Sequence, residues 1–206
     1  MARGKLITIE GIDGAGKTTL AQALLAAIHE RGLAAALLRE PGGVRAAERI
    51  RELVQDPEAR IGARAEALLY AAARSQLVEE ALVPLLDSGR HVLLDRFVDS
   101  SLAYQGAGRN LGIDAVRAIN EFGTGGLVPD RTLLLQVSPD VGRTRSRRRS
   151  EPLDRLERQP DAFFDRVAAA YAELAAAEPR RIRVIDAAQE PDAVLTAALE
   201  AVDDLL

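Results

Sequence analysis

Gly11-Ile12-Asp13-Gly14-Ala15-Gly16-Lys17-Thr18 follows the apolar run Leu6-Ile7-Thr8-Ile9 and precedes Leu20, Leu24, Leu25 and Ile28, which recur at helical spacing. Strand, glycine-rich turn and helix, in that order, are the setting in which G-x-x-x-x-G-K-[ST] forms a phosphate-binding loop. The glycines let the backbone curl until successive N–H groups and the helix N-terminus point at phosphate oxygens. Gly11, Ile12, Asp13, Gly14, Ala15, Gly16, Lys17, Thr18 and Thr19 are therefore the expected ATP-binding residues. Lys17 is expected to reach the β and γ phosphates, and the Thr18 hydroxyl to ligate Mg²⁺.

Outward from this loop the chain alternates. Strands are predicted over residues 5–10, 34–38, 91–95, 132–137 and 183–186, and helices over 19–30, 45–54, 64–83, 140–149, 161–177 and 192–206. Gly32 is placed as a helix-ending glycine, and Pro84 is expected to stop the helix over 64–83. Residues 99–122 read as less regular, with two short helical patterns. Five short apolar strands separated by helices predict an α/β fold: a five-stranded parallel sheet, helices on both faces, right-handed crossovers and the ligand beyond the carboxyl ends of the strands. The whole length, 1–206, fits a single domain.

Composition narrows the function. Lys and Arg total 27 against 31 Asp and Glu, a net charge of −4, which disfavours a general attraction to nucleic acid. No run approaches the roughly 18 apolar residues of a membrane span. With no Cys and only His29 and His91, soft metal ligands and redox thiols are missing, so a metal here should be oxygen-coordinated, like Mg²⁺. Met1 to Lys5 runs straight into a strand with no visible leader, and a cytoplasmic protein is expected.

Two further stretches carry chemistry. Asp95-Arg96-Phe97 ends a buried-type strand, where the acid can hold the Mg²⁺ hydration shell and the arginine can meet a second phosphate. Residues 143–149 hold five arginines in seven. Alone, such a run reads as a solvated face or a nucleic-acid patch. Beside two phosphate sites it reads differently, because Arg145 and Arg149, four apart, repel unless an anion arrives, and phosphoryl transfer draws several negative charges together. A mobile segment closing over them would supply countercharge and exclude water. A GTPase is disfavoured, since the only asparagines, Asn110 and Asn120, stand in no Asn-Lys-x-Asp signature.

These stretches, with Arg39-Glu40-Pro41-Gly42-Gly43, the run from Asp95 to Gly106, Pro129-Asp130 and Asp154-Arg155-Leu156-Glu157, resemble the bacterial thymidylate kinases over essentially the whole chain. Those are P-loop enzymes of the nucleoside monophosphate kinase superfamily that phosphorylate dTMP to dTDP with ATP and Mg²⁺. The resemblance implies a three-layer P-loop kinase fold with a mobile arginine-rich lid at about 143–157, and a homodimer. It implies that Asp13 lies near the deoxyribose 3′-hydroxyl, Tyr70 stacks on thymine, Arg74 donates to O4, Gln105 faces N3, Ser101 lines the base pocket and Tyr104 packs near the 2′ carbon. Arg51 and Arg96 match the pair that holds the dTMP phosphate, and Glu40 and Pro41 join the substrate site. Thr18 and Asp95 would hold the metal. Lys17, Asp95 and Arg96 are the implied catalytic residues, joined by a lid arginine from among Arg145, Arg147, Arg148 and Arg149, with Arg147 and Arg149 put forward. Gly14 stands where eukaryotic-type members carry an arginine, which fits a lid-borne cation, and Pro152 lengthens the lid by one residue.

On physical grounds Tyr70 and Arg74, four apart, share a helix face and could stack on a base and bond its edge together. A site donating to O4 rejects the 4-amino group of cytosine. The remaining alternatives are a kinase of the same fold acting on dUMP, UMP or a non-nucleotide acceptor, and a nucleotide-responsive binding protein.

Overall fold

In the computed structural model, residues 2–147 and 154–206 are described, Arg147 by its backbone alone. Five strands, β1 (Leu6–Glu10), β2 (Ala35–Arg39), β3 (His91–Asp95), β4 (Arg131–Gln136) and β5 (Ile182–Asp186), form one sheet in the order β2-β3-β1-β4-β5. Every neighbouring pair is parallel. Central β1 is buried along its whole length, as its near-continuous apolar run requires when both faces are covered. Its side chains part to opposite faces. Ile7, Ile9 and Leu93 join one core with Leu20, Leu24 and Ile28 of α1 (Lys17–Glu30), whereas Leu6, Val92 and Leu94 join a second with Leu77, Leu82, Leu86 and Phe97. Full burial of each such side chain contributes roughly 1.5–3 kcal/mol.

The remaining helices are α2 (Arg45–Gln55), α3 (Ala63–Leu77), α4 (Val83–Asp87), α5 (Val98–Ser101), α6 (Ile113–Thr124), α7 (Pro139–Arg147), α8 (Asp161–Ala177) and α9 (Pro191–Val202). Two expectations need correction. Pro84 does not stop the helix: α3 passes through a π-helical turn, Val78–Leu82, into α4, with Pro84 in its first turn. The widened turn displaces the carbonyl that the proline ring would strike, so the helical path runs on across it. The stretch 99–122 is mostly helical: α5 runs into a second π-helical turn, Leu102–Gly108, before α6. Wide turns of this kind lie outside the 3.6-residue periodicity, so the sequence reads there as irregular. The last helix, expected to run to residue 206, ends at Val202 and gives way to a tighter turn over Asp203–Leu205. The expected end of the helix over 140–149 lies outside the described residues, and the other elements begin and end within two residues of their expected bounds.

Register fixes the working edge. Asp95 lies beside Ile9 on one side and Arg39 on the other, so the segments leaving β1, β2 and β3 emerge together. The Glu40 N–H donates to the Asp95 carbonyl at 2.9 Å, and the Glu40–Pro41 peptide that follows is cis. Among the described residues no helix is long and apolar enough to cross a membrane.

Candidate active site

The loop between β1 and α1 wraps its own lysine. Lys17, buried, donates from Nζ to the carbonyls of Gly11 at 3.1 Å and Ile12 at 2.9 Å and lies 4.0 Å from Asp13. Burial first, then the charge of Arg96, brings its ammonium down to about 8, against the pull of Asp13 and Asp95. The Thr18 hydroxyl donates to Asp95 Oδ2 at 3.1 Å, so the two expected metal ligands are already neighbours. Two hard oxygens at the mouth of a phosphate loop suit Mg²⁺, which keeps several waters and takes its other ligands from phosphate. Among the described residues no group of three or more His, Cys, Asp or Glu forms an alternative metal cage.

Gly14, at φ +79°, meets α7 backbone to backbone. A Cβ on it would fall 2.1 Å from the Gly142 carbonyl oxygen, and a Cβ on Gly142 would fall 2.8 Å from the Asp13 carbonyl oxygen. Position 14 has no room for a side chain, and position 142 accepts one only if the loop shifts.

Arg96 adopts φ +70°, a left-handed conformation that for a non-glycine residue costs on the order of 1–3 kcal/mol. Its neighbours enforce it. Nη1 donates to the Gly11 carbonyl and to Ser100 Oγ, both at 3.1 Å, Nη2 to Asp13 at 2.5 Å, and the guanidinium stands 5.0 Å over the Tyr104 ring. Beneath this turn Glu10, fully buried, accepts from the N–H of Phe97 at 2.7 Å, the Ser100 hydroxyl at 2.5 Å and the Tyr171 hydroxyl at 2.8 Å. Burial, and after it the charge of Asp99, raises the Glu10 carboxyl above its usual range. Sequence reading missed Glu10, whose partners lie far along the chain.

A cleft of about 780 Å³ opens over these groups. Its lining includes Asp13, Gly14, Ala15, Gly16, Lys17, Thr18 and Thr19 on one side, and Glu40, Pro41, Arg51, Tyr70, Arg74, Asp95, Arg96, Ser101, Tyr104 and Gln105 on the other. Gly11 and Ile12 are not in the lining; their carbonyls face Lys17, and the Ile12 side chain joins the core. Tyr104 and Gln105, adjacent and without any spacing signal, are both turned inward on the π-helical turn. Arg51 donates to the Pro41 carbonyl at 2.9 Å, and burial together with nearby Arg39 lowers its pKa against the opposing charge of Glu48.

Arg74 is almost wholly enclosed, at 2% exposure, and its N–H groups already have acceptors: Glu40 at 2.7 Å, Ser101 and the Phe97 carbonyl at 2.9 Å, and Asn120. A base oxygen would have to share one of them. Burial pushes the Glu40 carboxyl up to about 7 against the opposing charge of Arg74, and its Oε1 is buried without a hydrogen-bond partner.

Of the arginine run, Arg145 reaches the cleft, donating to the Ala187 carbonyl at 3.0 Å, while Arg143 turns to Asp140 and Asp161. The side chain of Arg147, and all of Arg148 and Arg149, lie outside the described residues. Ala187, Gln189 and Leu195, after β5, also line the cleft and carried no signal in the sequence.

The chain matches known proteins over nearly its whole length. The family profile described as thymidylate kinase matches residues 9–198. Over 205 residues the chain is 46% identical to a thymidylate kinase of Rhizorhabdus wittichii, covering 98% of this chain and 99% of that one. It is 46% identical to that of Oenococcus oeni, with 100% and 98% covered, and 47% identical to that of Deinococcus radiodurans, with 93% of each covered.

Proposed function

The chain belongs to the thymidylate kinase family and phosphorylates dTMP to dTDP; from that premise we propose that ATP is the donor, that Mg²⁺ accompanies it, and that the residues lining the cleft divide the work as follows. The triphosphate lies on the loop 11–19, with Lys17 against its β and γ phosphates. Thr18 and Asp95 hold the metal, which when bound neutralises charge on the phosphate oxygens. Arg51 and Arg96 grip the dTMP phosphate, Asp13 takes the sugar hydroxyl, and Glu40 and Pro41 form the wall beside them. Tyr70 stacks on thymine, Arg74 shares a donor with O4, Gln105 meets N3, and Ser101 and Tyr104 close the base and sugar pocket.

One observation carries this reading. Lys17 Nζ and Arg96 Nη1 each donate to the same Gly11 carbonyl at 3.1 Å, so the cation for one phosphate group and the cation for the other flank a single atom. Two phosphates seated on them are juxtaposed for in-line transfer. The acceptor oxygen on dTMP is already largely ionised at neutral pH, so positioning and charge stabilisation dominate and no strong base is needed.

The proposal extends to a single kinase domain over 1–206, to closure of the segment 143–157 with Arg147 and Arg149 as its catalytic cations, and to a cytoplasmic homodimer. The test is to supply ATP and Mg²⁺ with dTMP, dUMP, UMP, CMP, AMP or GMP separately and to measure ADP and the diphosphate product. Rapid turnover with dTMP, weaker with dUMP and negligible with the others is expected. Preference for another acceptor would discard the roles of Tyr70, Arg74 and Gln105, and failure to transfer to any would overturn the whole scheme.

A further inference from the structure

A carboxylate that lines no part of the cleft sits directly behind the base pocket. Glu66 occupies α3 one turn before Tyr70 and two before Arg74, and is fully buried. It collects four hydrogen bonds: from Gln105 Nε2 at 2.9 Å, from Arg109 Nε at 3.2 Å and Nη2 at 2.9 Å, and from Arg155 Nη1 at 2.7 Å. Burial works to raise its pKa, but the hydrogen bonds of Arg109 and Gln105 and the charge of Arg109 more than offset this and hold it below the usual carboxylate range. Glu66 is thus an ionised group that can only accept.

That has a consequence for Gln105. A glutamine amide can offer either its oxygen or its NH₂ to a ligand, and its neighbours decide which. With Nε2 drawn to an obligate acceptor, Oε1 is the group Gln105 has left for the cleft. We propose that Glu66 is a specificity-determining positioning residue: by fixing the Gln105 amide it makes the pocket present an acceptor at the base's N3, favouring thymine, which carries N3–H, over cytosine, whose N3 is a lone pair. The inference rests on the placement of the base against Gln105 proposed above. Because the donors of Arg74 are occupied by protein acceptors, this amide carries a large share of the discrimination. Arg155, in the segment 143–157, also donates to the Val54 carbonyl at 3.0 Å, so the same carboxylate ties the base reader to that segment.

The experiment compares kcat/KM for dTMP and dCMP. Glu66→Gln, which can donate as well as accept, is expected to lower the dTMP-over-dCMP ratio about tenfold, chiefly through KM. In a Gln105→Leu background the same change should leave the ratio where Gln105→Leu alone puts it. A purely structural role would reduce both substrates equally, and an unchanged ratio in folded Glu66→Gln overturns the inference. The wild-type enzyme gives a second readout that needs no variant: replacing N3–H by C–H, in 3-deaza-dTMP, should cost about tenfold in kcat/KM, and equal or better use of that analogue would show Gln105 presenting its NH₂ instead. A wild-type enzyme indifferent between dTMP and dCMP would sink the base placement itself.

Discussion

Lys17 is held in wait for a phosphate. Its ammonium, ordinarily near 10.5, is brought to about 8 by burial and Arg96, and a triphosphate arriving beside it restores the charged form. Binding therefore takes up a proton, about half of one per nucleotide near pH 8, and affinity falls as pH rises through that value. Titration calorimetry in buffers of different ionisation enthalpy should detect the uptake at pH 8 and much less of it near pH 6; none at either pH would contradict the buried, partly neutral lysine. For the free enzyme the sign is opposite. Between about 8 and 10.5 the unfolded chain holds a proton that the folded one has released, so this residue's contribution to stability grows with pH across that window. Arg96 complements it: local strain at φ +70° is tolerated because Glu10, Asp13, Gly11 and Tyr104 surround the turn, and a guanidinium ends up facing the cleft.

Among the elements, the contact between the phosphate loop and α7 invites a direct test. Gly142 has ordinary helical geometry, so Gly142→Ala adds a methyl group where alanine is otherwise preferred by about 1 kcal/mol, and only the 2.8 Å approach to the Asp13 carbonyl and to Ile12 Cδ1 opposes it. The KM for ATP is expected to rise about fivefold while the thermal midpoint hardly moves; an unchanged KM would mean that loop and helix are independent. What the sequence revealed follows the same division between near and far. The loop 11–18, the strand His91–Asp95 and the helix Asp161–Ala177 are written in contiguous residues and could be read there. The passage of α3 through Pro84 and the inward turn of both Tyr104 and Gln105 depend on π-helical turns, whose wider spacing breaks the periodicity used for reading. Glu10 and Glu66 were illegible for another reason: an acidic residue on a strand or helix looks solvent-bound until arginines, serines and tyrosines from distant segments are folded around it.

For the molecule as a whole, the uncovered apolar surface is uneven. Phe122 on α6 is 92% exposed, Leu68 on α3 56% and Leu53 on α2 46%, and these helices pack against one another in the order α2, α3, α6. The proposed homodimer would give the large apolar side chains on these adjoining helices a partner. Light scattering should give twice the chain mass for the wild type and the single-chain mass for Phe122→Asp; a monomeric wild type would remove the dimer from the proposal. The Gly14–Gly142 contact reaches further still, into how such a chain can change over generations. An arginine at position 14 needs volume that the α7 backbone fills, and no residue placed at 142 can vacate it, because the atom in the way is the Gly142 carbonyl oxygen. A lineage that gains a side chain at position 14 must therefore first carry α7 away from the loop, a shift of backbone and not an exchange of residues.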